Sequence, residues 1–87
     1  MTLHFVMAPD QQILDKITPL LSDADTLILL ADGAYLTHAA ENRKLPFRVR
    51  EKDLTARGLT ATAECTINDQ QWLALTLDHE KTMSWAR

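Results

Sequence analysis

Cys65 is the only cysteine in this 87-residue chain and the side chain best suited to covalent group transfer. A thiol that attacks or carries sulfur needs exposure and positive neighbours. Cys65 instead follows Glu64 and alternates onto one strand face with Ala63 and Ile67. That setting favours a buried, inert cysteine over a persulfide carrier. Asp32-Gly33 closes a long apolar run. Such a pair ends a strand and opens a turn, and in open α/β sheets it can border the crevice where ligands and partners gather. A phosphoacceptor role for Asp32 would need an acidic cluster to hold Mg²⁺, and none is visible. Arg57, beside Gly58, either complements a helix dipole or meets a partner's carboxylate or a persulfide anion.

Other chemistries find little support. His4, His38, His79 and Cys65 fall into no CxxC or HxxxH spacing, so neither a metal site nor a cofactor is expected. His79 reads as a helix C-terminal residue, where its cation is favoured. The two glycines cannot supply a GxGxxG loop, and no acyl-transfer triad is apparent. Tryptophan is enriched at interface hot spots. Trp72 lies on an apolar helix stripe and reads as core. Trp85 reads as an interface or back-packing residue, which makes Asp32, Gly33, Arg57 and Trp85 the partner-interface candidates.

These residues must be held by a scaffold, and the run Leu27-Ile28-Leu29-Leu30-Ala31 indicates which. Five apolar residues without a polar break suit a strand buried on both faces of a parallel sheet. A first strand is expected over residues 3–8. Asp10 should cap a helix whose buried face carries Ile13, Leu14, Ile17, Leu20 and Leu21, with Pro19 kinking or ending its last turn. After Gly33 a second helix is expected over about residues 34–43, with Tyr35, Leu36, Ala39 and Ala40 as its apolar stripe. A third strand follows at 47–51, then a helical turn at 52–57 stopped by Gly58. Residues 61–68 alternate as a half-exposed edge strand. Asn68 or Asp69 caps a last helix bearing Trp72, Leu73, Leu77 and Leu75, and Met83 and Trp85 fall in a short tail. Strands alternating with helices imply an α/β fold: three layers, a mostly parallel four-stranded sheet, helices on both faces.

Length and composition narrow the function. The chain is expected to form one domain over residues 1–87, small enough that association with other subunits would supplement its core. Hydrophobic residues make up 46% and charged residues 24%, the balance of an ordinary globular protein. The net charge of -3 and the absence of a basic patch argue against direct nucleic-acid binding. A lone cysteine fits a reducing cytosol, and the N-terminus lacks the pattern of a signal peptide. No apolar run is long enough to span a membrane.

Three stretches together carry a family resemblance. They are the strand closing in Asp32-Gly33, the segment Asp53-Leu54-Thr55-Ala56-Arg57-Gly58-Leu59, and Leu75-Thr76 followed by His79, Met83 and Trp85. In this order they resemble the DsrH/TusB proteins of bacterial sulfur relay, over most of the chain. The resemblance implies a DsrE/DsrF-like α/β fold and a subunit role in a heterohexamer with TusC-like and TusD-like chains. In the TusBCD branch that complex relays persulfide sulfur toward 2-thiolation of the tRNA wobble uridine, with the sulfur-bearing cysteine on the TusD-like partner. In the Dsr branch it serves sulfur oxidation. Some DsrH members carry a cysteine in the first half of the chain; this sequence has none there, and Cys65 matches no family motif. The expectation is therefore a non-catalytic, cytoplasmic subunit that binds no nucleic acid or membrane directly, with self-association of the isolated chain left as an open alternative. The rivals are a Cys65-dependent carrier, a DsrEFH-type subunit and a stand-alone homodimeric binding domain.

Overall fold

The computed structural model describes residues 2–86. Strand β1 (Thr2–Val6) leads to Asp10, whose carboxylate accepts the Gln12 backbone N–H at 2.9 Å and caps α1 (Gln11–Ile17). This helix buries Ile13, Leu14 and Ile17, as its spacing requires. Pro19 then draws the chain into a short 3-10 turn, Thr18–Leu20. The tighter winding rotates Leu20 out of the expected buried face and leaves it 58% exposed.

Strand β2 (Thr26–Leu29) is buried on both faces, with Leu27, Ile28 and Leu29 sealed from solvent. The continuous helix expected after Gly33 is instead a 3-10 helix, Ala31–Leu36, running into a short α2 (Thr37–Asn42). The earlier start and tighter turn put Tyr35 on the outside, 53% exposed, rather than in an apolar stripe. Gly33 shows why the segment begins so tightly: a Cβ there would lie 1.9 Å from the carbonyl oxygen of Val6. That same oxygen accepts the Leu30 N–H at 3.0 Å, so the chain leaving β2 is pressed against the end of β1.

Strand β3 (Phe47–Arg50) is followed directly by α3 (Glu51–Ala56), which ends at Gly58 with φ of 64°. This is the left-handed residue that stops a helix and that glycine adopts without steric cost. The edge strand expected over 61–68 is reduced to β4 (Thr66–Ile67). Its upstream half forms a turn in which the Cys65 N–H donates to the Thr62 carbonyl at 3.0 Å. The alternation of residues 61–64 thus finds no ladder, and pairing with β3 begins only at the Cys65 carbonyl. Helix α4 (Asp69–Asp78) opens with a reciprocal capping box between Asn68 and Gln71. The tail predicted to hold Met83 and Trp85 is a fifth strand, β5 (Lys81–Trp85), rather than irregular chain.

The sheet therefore has five strands, not four, in the order β4-β3-β2-β1-β5. Every pairing is parallel. β2 is interior and β4 is an edge, as their apolar patterns imply; β5 forms the other edge. Helices cover both faces. One face joins Val6, Leu27, Leu29, Phe47 and Val49 to Leu14 and Ile17 of α1, Ala40 of α2 and Leu54 of α3. The other joins Leu3, Ile28, Leu30 and Ile67 to partly buried Phe5, Met7, Trp72 and Leu75. No helix among the described residues is long and apolar enough to cross a membrane.

Candidate functional site

The parallel arrangement gathers the carboxyl ends of the strands on one side of the sheet, and with them most of the charged side chains that matter. Asp32 lies just past β2, Arg50 ends β3, and Asp69 opens α4 just past β4. α3 follows β3 without a loop and contributes Lys52 and Asp53, with Arg57 at its end.

These groups form an alternating ion ladder. Arg57 Nε and Nη2 both donate to Asp32 Oδ1, at 3.1 and 2.9 Å. Arg57 Nη1 donates to the Asp53 carbonyl at 3.2 Å and lies 3.6 Å from the Asp53 carboxylate. Arg50 approaches Asp53 at 3.8 Å and donates from Nε to Asp69 Oδ1 at 3.1 Å. Lys52 closes the row on Asp69 Oδ2 at 2.7 Å. Lys52 first and Arg50 second hold the Asp69 carboxyl below its ordinary range.

The ladder alternates in sign, so its charges are largely mutually satisfied. Such a row fixes α3 across the strand ends. At its Asp32 end the exposed groups are Asp32 itself, 59% accessible, and Tyr35. The Arg57 guanidinium lies 5.9 Å from the Tyr35 ring centre and is mostly covered by its neighbours. Arg and Tyr are residue types that dominate interface energetics when a partner removes their water. At the other end Arg50 lies 5.1 Å from the Trp72 ring. A groove of about 420 Å³ runs there between Glu51, Lys52, Thr55 and Asp69.

Of the sequence-selected residues, the structure brings Asp32 and Arg57 into direct contact, although they lie far apart in the chain. Gly33 is buried under Asp32 against the Val6 carbonyl and so builds the turn rather than a surface. Trp85 sits elsewhere, half-buried on edge strand β5 and packed against the first core face. Its indole N–H donates to His4 Nδ1 at 3.1 Å. An Nδ1 that accepts places the His4 proton on Nε2, which faces Asp25 Oδ2 at 3.5 Å. Asp25 in turn accepts the Thr2 N–H at 2.8 Å and both the N–H and hydroxyl of Ser22. The Thr2 bond above all, with help from Ser22 and His4 and against the effect of burial, lowers the Asp25 carboxyl to about 2. Trp85, His4 and Asp25 thus knit β5, β1 and the start of β2 together.

Cys65 belongs to neither group. Its thiol is free and half-buried, its side chain packs on the first core face, and its carbonyl accepts the Val49 N–H at 2.7 Å. His38 is exposed beside Glu41, and His79 Nδ1 lies 2.7 Å from the Leu75 carbonyl at the end of α4. Among the described residues no group of three or more His, Cys, Asp or Glu could hold a metal ion.

Sequence reasoning missed Tyr35, Arg50, Lys52, Asp53 and Asp69 as neighbours of Asp32 and Arg57. Arg48 and Arg50 alternate with Phe47 and Val49 along β3. Only the parallel pairing of β2, β3 and β4 tells which of the two stands at the strand ends.

Residues 8–82 match the family described as DsrH like protein. The chain belongs to the DsrH-like family. That membership ties it, in broad terms, to sulfur relay, and the parallel α/β fold agrees with it. No curated protein matches the chain.

Proposed function

We propose that this DsrH-like chain is a non-catalytic subunit of a cytoplasmic sulfurtransferase complex. It assembles with TusC-like and TusD-like chains in a heterohexamer that relays persulfide sulfur toward 2-thiolation of the tRNA wobble uridine. The observation that carries the reading is the separation of Cys65 from the exposed recognition groups. A sulfur carrier needs a thiol that a donor and an acceptor can both reach. Cys65 is half-buried beside the core, and its backbone begins an edge strand. The exposed groups suited to recognition, Asp32 and Tyr35 around Arg57, carry no thiol. The chain's contribution is therefore to shape or stabilise a partner's site. Its net charge of -3 agrees with leaving the RNA to other chains.

The test is co-purification from the native host followed by persulfide transfer with the assembled complex. Co-purifying TusC-like and TusD-like chains, and transfer that survives Cys65→Ser, are the expected results. A persulfide on Cys65 of the purified chain, with relay abolished by Cys65→Ser, would make it a carrier. Recovery with sulfur-oxidation enzymes instead would keep the subunit role and reassign the pathway.

A further inference from the structure

His4 is buried in the middle of β1, and each of its ring nitrogens faces a polar group. Nδ1 accepts the Trp85 indole N–H at 3.1 Å, so it carries no proton. Nε2 lies 3.5 Å from Asp25 Oδ2, long for a hydrogen bond but within reach of an ion pair. A neutral imidazole suits this arrangement, since one nitrogen donates and the other accepts. An imidazolium donates from both. Its added proton would sit on Nδ1 and point at the indole N–H. Turning the ring over only exchanges one N–H for the other.

The cost of that proton falls on Trp85 and not on His4. Asp25 keeps its bonds from Thr2 and Ser22, which hold its carboxyl at about 2, so it stays ionised at neutral and mildly acidic pH. A buried carboxylate 3.5 Å away compensates a new charge on the ring. The other neighbours offer nothing comparable. Leu27 and Met83 stand beside His4 in register. Helix α1 turns Ile13, Leu14 and Ile17 inward and keeps Asp15 and Lys16 outside, and Asp10 is engaged in capping it. Asp23, Glu80 and Lys81 are exposed and screened by water. Trp85, by contrast, has an exit. It lies on an edge strand, and its indole is only partly buried.

We propose that His4 is a proton-operated latch for Trp85: neutral, it holds the indole against the first core face, and protonated, it releases it. Trp85 is the one described residue of β5 that packs on the core, so its release loosens the strand. The bond needs an unprotonated Nδ1, so the latch is closed on the alkaline side and opens as pH falls. Histidine is the side chain whose charge changes near neutral pH. The inference uses the edge of the sheet and not the sulfur-relay reading, so either can fail without the other.

Proton–nitrogen NMR on the full chain between about pH 8 and pH 5 tests it. The Trp85 indole cross-peak, identified by its absence in Trp85→Phe, should leave its hydrogen-bonded position in one step as the His4 ring takes its proton. The step should vanish in His4→Asn, whose side-chain oxygen can accept where Nδ1 does, and should remain in His79→Gln. At the acid end of the range the β5 amides should exchange about threefold or more faster in the wild type than in His4→Asn. A Trp85 cross-peak that stays in place while His4 takes its proton overturns the proposal, as does a His4 ring that stays neutral throughout. Both of these outcomes need only the wild type, so they decide the matter if His4→Asn fails to fold. A step that persists in His4→Asn, or β5 amides that exchange no faster than in that variant, also overturns it.

Discussion

The two faces of the sheet use similar side chains to opposite effect. On the first, Leu14 and Ile17 of α1 are sealed against Val6, Leu27, Leu29 and Val49. On the second, α4 crosses Leu3 and Ile28 but leaves Leu73 and Leu77 outside. The difference lies in what each helix has on its far side. α1 directs its apolar stripe inward and its polar residues to water. α4 is apolar on both sides, and only one side can meet the sheet. The first face makes the fold, and the second holds a surface that water does not favour.

The sharpest way to break this contrast is Leu14→Ala. Leu14 is fully buried, so the truncation leaves a cavity and should cost about 2–5 kcal/mol in denaturant unfolding. A cost near zero would show that the first face is not the core. Gly33→Ala should follow at about 3 kcal/mol, because its Cβ must displace the Val6 carbonyl backbone rather than a flexible side chain. Unchanged stability would show that the turn after β2 can move away from β1 at little cost.

Acid should act through Asp25, buried where β1 and β2 begin. Its folded carboxyl titrates at about 2, below the ordinary 3.8. The contribution to stability is therefore fully present above the ordinary value and lost as pH falls through that interval to about 2. The amount is about 2 kcal/mol. Asp25→Asn should flatten this part of the stability–pH curve; an identical curve would detach Asp25 from acid unfolding.

Trp85→Ala tests a residue that takes part in the first core face and is also an interface candidate. If the ring fills a partner pocket, assembly should weaken by about 1–3 kcal/mol in a binding titration against the co-expressed chains. A lower melting temperature of the isolated chain with assembly unchanged would confine Trp85 to its bond with His4. The smallest effect belongs to Leu77→Ala. Measured in dilute solution, it should change unfolding free energy by less than about 0.5 kcal/mol. A cost comparable to Leu14→Ala would erase the contrast between the faces.

Local pattern determined much of this protein. The apolar residues Leu27, Ile28 and Leu29 marked an interior strand because a strand covered on both faces must be apolar at every position. The run expected to continue to Ala31 leaves the sheet after Leu29, and Ala31 opens the 3-10 helix in the open. Asp10, Asn68 and Gly58 marked helix ends because capping groups and left-handed residues act within a few positions along the chain. The ordered motifs around Arg57 and the C-terminal stretch carried the family resemblance that residues 8–82 bear out. What local pattern could not decide depended on partners distant in sequence. Residues 61–64 alternate as cleanly as a strand, yet they form no strand, because a strand exists only where a neighbour completes its ladder. Residues 81–85 became a strand because β1 offered a free edge. Leu20, Tyr35, Leu73 and Leu77 fit apolar stripes by spacing, and each is exposed because 3-10 winding or a second apolar side turned it from the sheet. The meeting of Asp32 with Arg57, and of Trp85 with His4, was decided by strand order alone, which places side chains remote in sequence at one end or one edge of the sheet.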